Sequence, residues 1–200
     1  DQTAWLLSAL ADYNRTFGDH TVGVTVGMEA EEKQQDFLGA FRKYFLSDKI
    51  DEMNAGGMTD LTNNGSSWKE RRKNYFGRVS YNYLERYLLE FVWRVDGSYR
   101  FPKEKRYGFF PGVSAAWRVS EEEFWKENMN FVEYFKLRGS VSQTGNDALL
   151  DADGNYDQSV QYLNTFGFTD SYIFGTTENT RLYPTRTPNP NITWERGTTY

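Results

Sequence analysis

Residues 75–97 read YFGRVSYNYLERYLLEFVWRVDG. In the second half, Leu89, Phe91, Trp93 and Val95 share one parity, while Glu90, Arg94 and Asp96 share the other, with Val92 as the apolar exception. A period of two belongs to a strand, because successive Cβ atoms point to opposite faces. One flank is therefore large, aromatic and uninterrupted, and the other is ionic. The first half repeats the arrangement, with Tyr75, Val79, Tyr81 and Tyr83 set against Arg78, Ser80 and Asn82, and Leu84, Glu85 and Arg86 forming a tight turn. A wall that is greasy on one side and charged on the other suits an antiparallel transmembrane β-barrel, which meets hydrocarbon outside and a polar lumen inside.

The same alternation recurs along the chain. Residues 2–13 place Trp5, Leu7, Ala9 and Ala11 on one face, and a polar turn follows over Arg15–His20. Residues 20–29 alternate Val22, Val24, Val26 and Met28 with Thr21, Gly23, Thr25 and Gly27. Residues 107–119 set Phe109, Val113, Ala115, Trp117 and Val119 against Gly112, Ser114, Ala116 and Arg118, with Pro111 near the start, where a missing ladder donor is tolerable. Residues 134–144 set Phe135, Leu137 and Val141 against Lys136, Arg138, Ser140 and Ser142, and a last strand begins near Ile192 and Trp194. Between these, Phe37, Leu38, Phe41, Tyr44 and Phe45 recur at spacings of three and four and predict a short amphipathic helix over 31–47. It would pack on neighbouring loops or, alternatively, lie on a membrane surface. Residues 54–67 form a Gly/Asn/Ser-rich loop, and Ser120 with Glu123 reads as a capped helix start running to Asn128.

Seven strands result, and their connections sort by length. Residues 14–19, 84–86 and 120–133 make one set; residues 30–74, 98–106 and 145–190 make the other, with two very long members. Successive connections of an antiparallel sheet lie at opposite ends, so the long ones share one rim. Short turns on one side and long loops on the other mark an outer-membrane barrel, whereas a β-sandwich has no reason to sort its loops so.

Composition narrows the field further. Hydrophobic residues make up 38% and mean hydropathy is -0.74, with no run near the roughly 18 apolar residues that a membrane helix needs. That excludes helical spans only, since a barrel strand needs about 9–11 residues, half of them polar. The aromatic share of 18% suits membrane interfaces and equally suits a sandwich core, so a soluble secreted β-sandwich binding module stays open as the alternative. A net charge of -5 gives nucleic acid no basic surface to bind. With no cysteine, disulfides, thiolate zinc and thiol catalysis are excluded. The chain opens at Asp1 within a strand and shows no signal peptide, so residues 1–200 read as a partial barrel domain of something longer.

No catalytic, cofactor-binding or metal-binding set is expected, and the chain does not read as an enzyme. His20, the one histidine, reads as a turn residue. Asp151, Asp153, Asn155 and Asp157 begin like a calcium loop, but position six is Tyr156 and position twelve is Tyr162, so a solvated turn is the simpler reading. Glu121, Glu122 and Glu123 suit a helix start, and no paired carboxylates, phosphate loop or G-x-S-x-G motif stands out. Arg78, Glu90, Arg94, Asp96, Arg118, Lys136 and Arg138 fall on the lumen side. They are expected to form cross-strand ion pairs, Glu90 with Arg118 among them, or to meet a transiting polar solute. In the last long segment Tyr162, Phe166, Phe168, Tyr172 and Phe174 either stack on sugar rings or pack the loop on itself.

Three runs carry a family resemblance: RVDGSYR at 94–100, FFPGVSAAWRVSEEEF at 109–124 and KLRGSVSQTGND at 136–147, with PNPNITWE at 188–195 as a further match. Together they resemble the C-terminal barrel of TonB-dependent outer-membrane transporters, in the SusC/RagA-like branch of Bacteroidetes. The resemblance implies a barrel of 22 strands with an N-terminal plug domain that this chain lacks. It also implies active import of oligosaccharides or peptides across a Gram-negative outer membrane, energised by TonB through that missing N-terminal region, with a SusD-like surface lipoprotein as partner and no cofactor.

Overall fold

The computed structural model describes residues 1–50, 52–129, 131–150 and 160–200. Its strands are β1 (Gln2–Phe17), β2 (His20–Phe41), β3 (Thr62–Tyr83), β4 (Tyr87–Ser98), β5 (Tyr107–Arg118), β6 (Lys136–Asn146), β7 (Thr165–Phe174), β8 (Thr177–Arg186) and β9 (Glu195–Thr199), with one short helix, α1 (Glu123–Asn128). Seven strands form one sheet in the order β1-β2-β3-β4-β5-β6-β9, and β7 and β8 pair separately as a hairpin inserted between β6 and β9. The sheet is open, with β1 and β9 at its edges, as befits part of a barrel. By contacts the chain divides into two compact units, residues 1–7 with 31–71, and residues 8–30 with 72–200.

The first unit corrects the helix expected over 31–47. Residues 31–41 continue β2, and 62–71 belong to β3 rather than to a loop over 54–67. A spacing of four, as between Phe37 and Phe41, fits both a helix turn and two strand repeats, so periodicity alone does not decide. Cross-strand partners decide instead. Glu32 takes ion pairs from Lys69 at 2.7 Å and Arg71 at 2.6 Å. The Trp68 indole donates to Gln35 Oε1 at 3.0 Å, and Asp36 N donates to Asp1 O at 2.9 Å. The connection is fastened by Gly57 N donating to Lys43 O at 2.8 Å and by Arg42 Nη1 donating to Gly56 O at 3.2 Å.

In the second unit the register settles the two faces. Val79 stands opposite Phe91, and Phe91 opposite Val113, which in turn faces Val141. One flank thus collects Tyr75, Val79, Leu89, Phe91, Trp93, Val95, Phe109, Val113, Leu137 and Val141. No second sheet seals it: Leu89 is 52% exposed, Val113 49% and Leu137 50%. Burying a large apolar side chain is worth about 1.5–3 kcal/mol over leaving it in water. With these side chains about half exposed, the deficit across the flank is on the order of 10 kcal/mol, which a hydrocarbon surround removes. The soluble sandwich, which needs this flank enclosed, does not fit.

Most of the buried core lies instead at the long-loop end of this unit, with Val119 buried at the other end. Phe101 and Phe110 pack against Trp194 with ring centroids 5.1 Å and 5.3 Å away, and the indole donates to Arg106 O at 3.1 Å. Ser98, buried there, donates to Asp147 at 2.8 Å, and Arg72 pairs with the same carboxylate at 3.1 Å. A Cβ on Gly145 would overlap the Phe110 ring, so the close approach requires glycine. With Trp194 in this packing, β9 begins at Glu195, at the Trp194 end of the start expected near Ile192 and Trp194.

Ser120 is not the helix cap that the sequence implied. It is buried in a 3₁₀ turn over Val119–Glu121, and Glu122 holds the cap position without a side-chain cap bond. Likewise, the polar segment 145–190 contains the β7–β8 hairpin, whose turn uses Gly175 at φ 68°.

Candidate functional site

The ionic flank of the second unit lines a concavity of about 810 Å³, bordered by Arg78, Glu90, Ser114, Lys136, Arg138 and Ser140. Small side chains at 114 and 140 keep this wall open. Arg78 and Glu90 form an ion pair across β3 and β4, and Arg94 pairs with Asp96 at 2.9 Å along β4. Glu90 does not meet Arg118. It stands opposite Ser114, four residues from Arg118, or about 14 Å along the strand. Arg118 instead pairs with Glu85 at 3.1 Å and Glu121 at 3.0 Å, at the short-turn rim. Lys136 and Arg138 have no acid partner among the described residues.

Glu122 organises that rim, a role the sequence did not reveal. Its Oε1 accepts from the Tyr87 hydroxyl at 2.7 Å and the Trp117 indole at 3.0 Å, and its Oε2 takes Arg86 at 3.2 Å. These donors hold its carboxyl below the ordinary value, the Tyr87 hydroxyl most of all. Lys126, followed by Arg118, does the same for Glu121. The only available signal was the position of the acidic run, separated from Trp117 and Arg118 by Val119 and Ser120.

Aromatic rings follow one another across the same rim. His20 lies 4.7 Å from Tyr83, Tyr83 6.3 Å from Tyr87, Tyr87 6.4 Å from Trp117 and Trp117 6.5 Å from Phe124, between ring centroids. His20 begins β2, and its Nδ1 is 2.7 Å from the Tyr81 hydroxyl. Rings with polar tips gathered at one level form the girdle of a membrane–water interface.

The five candidate loop aromatics do not form one surface. Tyr162 is half-buried ahead of the hairpin. Phe166 and Phe168 stand opposite Pro184 and Leu182. A register shift between Thr169 and Ser171 then inserts one extra residue in β7, and Tyr172 and Phe174 stand opposite Asn179 and Thr177. By register, Phe166 and Phe168 share a face with Leu182 and Ile173, while Tyr172 and Phe174 share the other with Asn179 and Arg181. This second face borders a groove of about 650 Å³ formed by Tyr172, Phe174, Asn179, Thr180 and Arg181. Phe168 and Phe174 are each 76% exposed, so neither packs the loop on itself. Arg181 escaped the sequence reading because only strand pairing brings it beside the rings. The calcium-like residues Asp151, Asp153, Asn155 and Asp157, with Tyr156, lie outside the described residues. Among the described residues, no group of three or more acidic, His or Cys side chains could hold a metal ion.

No family model matches the chain. It is 28% identical to the TonB-dependent receptor P3 of Formosa agariphila, over 92% of this chain and 17% of the receptor. It is 36% identical to the TonB-dependent receptor SusC of Bacteroides thetaiotaomicron, over 63% of this chain and 12% of SusC. The chain thus spans less than a fifth of the length of the curated relatives it matches. In fold it superposes on a chain from the structure of the RagAB peptide transporter with a TM-score of 0.78 at 20% identity, covering 98% of this chain and 21% of that one. Its matched relatives are receptors and transporters rather than enzymes. With one open antiparallel sheet, a lipid-suited flank and an ionic wall, the chain is a β-barrel segment similar in sequence to the TonB-dependent receptors and in fold to the SusC/RagA-like branch of outer-membrane transporters.

Proposed function

We propose that residues 1–200 belong to the barrel domain of an active importer in the outer membrane of a Bacteroidetes-like Gram-negative cell. The cargo would be oligosaccharides or peptides, delivered by a SusD-like surface lipoprotein and admitted when TonB acts on an N-terminal plug carried elsewhere in the protein. No bond in the cargo is broken; the work lies in clearing a path along the ionic wall. The observation that carries this reading is the single sheet whose apolar flank is exposed while its opposite flank pairs Arg78 with Glu90 and Arg94 with Asp96. Exposed hairpin rings at Phe166, Phe168, Tyr172 and Phe174 support a cargo-contacting role, whereas Tyr162 is half-buried ahead of the hairpin.

The test uses the full-length protein. It should partition into outer membranes and migrate faster unheated than boiled in detergent gels, and its deletion should abolish growth on at least one oligosaccharide or peptide mixture. Recovery as a water-soluble species without a heat shift would refute the reading.

A further inference from the structure

The β7–β8 hairpin has two unlike faces. One carries Phe166, Phe168, Ile173 and Leu182, with Glu178 and Thr180 among them. The other mixes two rings, an amide and a guanidinium: Tyr172 at 64% and Phe174 at 76% exposure, with Asn179 and Arg181 across the ladder. Two rings at alternate positions on a strand are about 7 Å apart, a platform suited to an extended chain more than to a single small solute. Rings with planar hydrogen-bonding groups at their edge can stack on the apolar face of a sugar while donating to its hydroxyls. The Asn179 amide makes one bond in the hairpin, to Thr177 O at 3.2 Å, and keeps further capacity.

Arg181 sets the charge of this face. It has no acid partner among the described residues, and Glu178, the acid of β8, falls by register on the opposite face beside Ile173. A guanidinium beside an open groove offers a planar fork to a carboxylate or sulfate. The ionic wall repeats the bias independently, since Lys136 and Arg138 line its concavity with no acid partner among the described residues. In a chain of net charge -5, these cations stand on surfaces open to a solute.

We propose that the face bearing Tyr172, Phe174, Asn179 and Arg181 binds an anionic oligosaccharide, the rings stacking on its sugars and Arg181 taking its carboxylate or sulfate. This rests on the importer reading and narrows its cargo.

The experiment measures calorimetric binding to the purified full-length protein of an oligogalacturonate, a sulfated galactan oligosaccharide, a neutral malto-oligosaccharide and an oligoglutamate peptide. The expected result is binding of an acidic glycan that weakens with salt. Arg181→Gln should weaken it about tenfold or more, the loss of a charge-assisted contact, and flatten the salt dependence. Arg181→Lys should recover part of the affinity, and Tyr172→Ala with Phe174→Ala should also lower it. An R181Q protein that keeps its heat-shifted gel migration and binds as tightly as the parent overturns the proposal. So does binding of the neutral glycan or the peptide alone, or of none of the four. Uptake by cells separates the two readings: import that continues independently of Arg181 sinks only this inference, whereas the absence of any uptake sinks the importer.

Discussion

At the residue scale, Glu122 shows how one side chain can hold a rim together. It collects donors from the β3–β4 turn, from β4 and from β5, and its carboxyl sits below the usual value of 4.5 because those donors favour the charged form. A group with a depressed folded-state pKa contributes stability that is complete above its unfolded value and disappears as pH falls through the folded one. Acidification from about pH 5 downward should therefore loosen this rim, and Trp117, which donates to Glu122, reports it. The expected outcome is an acid transition in tryptophan emission of the full-length protein that Glu122→Gln moves or removes. An acid limb identical in the variant would show that Glu122 does not control it. Nothing in the local sequence singled out Glu122 from its two acidic neighbours, because its importance comes from partners as far as 36 residues away.

At the element scale, the β3–β4 turn carries strain. Leu84 and Glu85 both have positive φ, at 52° and 55°, where a side chain costs roughly 1–2 kcal/mol unless it is Asn, Asp or Gly. Glu85 is compensated by its ion pair with Arg118, but Leu84 has no such contact to lose. Leu84→Asn should stabilise the folded barrel by up to about 1 kcal/mol, read as a higher temperature for the gel shift. The turn was legible in the sequence because clean alternation on both sides left only three residues to reverse the chain. The upper parts of β2 and β3 were not, since polar residues such as Glu31–Asp36 and Asn63–Ser67 have poor strand preference and are held by cross-strand pairs such as Glu32 with Lys69 and Arg71. The β7–β8 hairpin was hidden for another reason: its bulge breaks the parity that marks a strand.

For the whole molecule, the decisive matter is which medium each flank meets. The sequence made this legible at Leu89, Phe91, Trp93 and Val95, because a full aromatic and aliphatic row opposite a charged one fits few other surroundings. The ion pairs within the charged row were only half legible: the residues were evident, but the register that sends Glu90 to Arg78 was not. Substitutions should sort by flank. Leu89→Arg places a charge on the hydrocarbon side and should cost about 2–4 kcal/mol if it lies near the midplane, less toward an interface. Ser114→Arg, on the opposite flank beside Glu90, should leave assembly nearly unchanged. Comparing the heat-shifted fraction of the two full-length variants checks this. Equal losses would mean that both flanks meet the same medium, and a larger loss for Ser114→Arg that they are assigned the wrong way round.

The single surplus residue in β7 has an evolutionary corollary. Inserting one codon in β8 between those for Thr180 and Arg181 would give that residue a partner, restore regular pairing and bring all four hairpin rings onto a common side, away from Arg181. Paralogues differing by that one triplet would thus present different chemistries on an unchanged scaffold, a change of taste that leaves every existing side chain as it is.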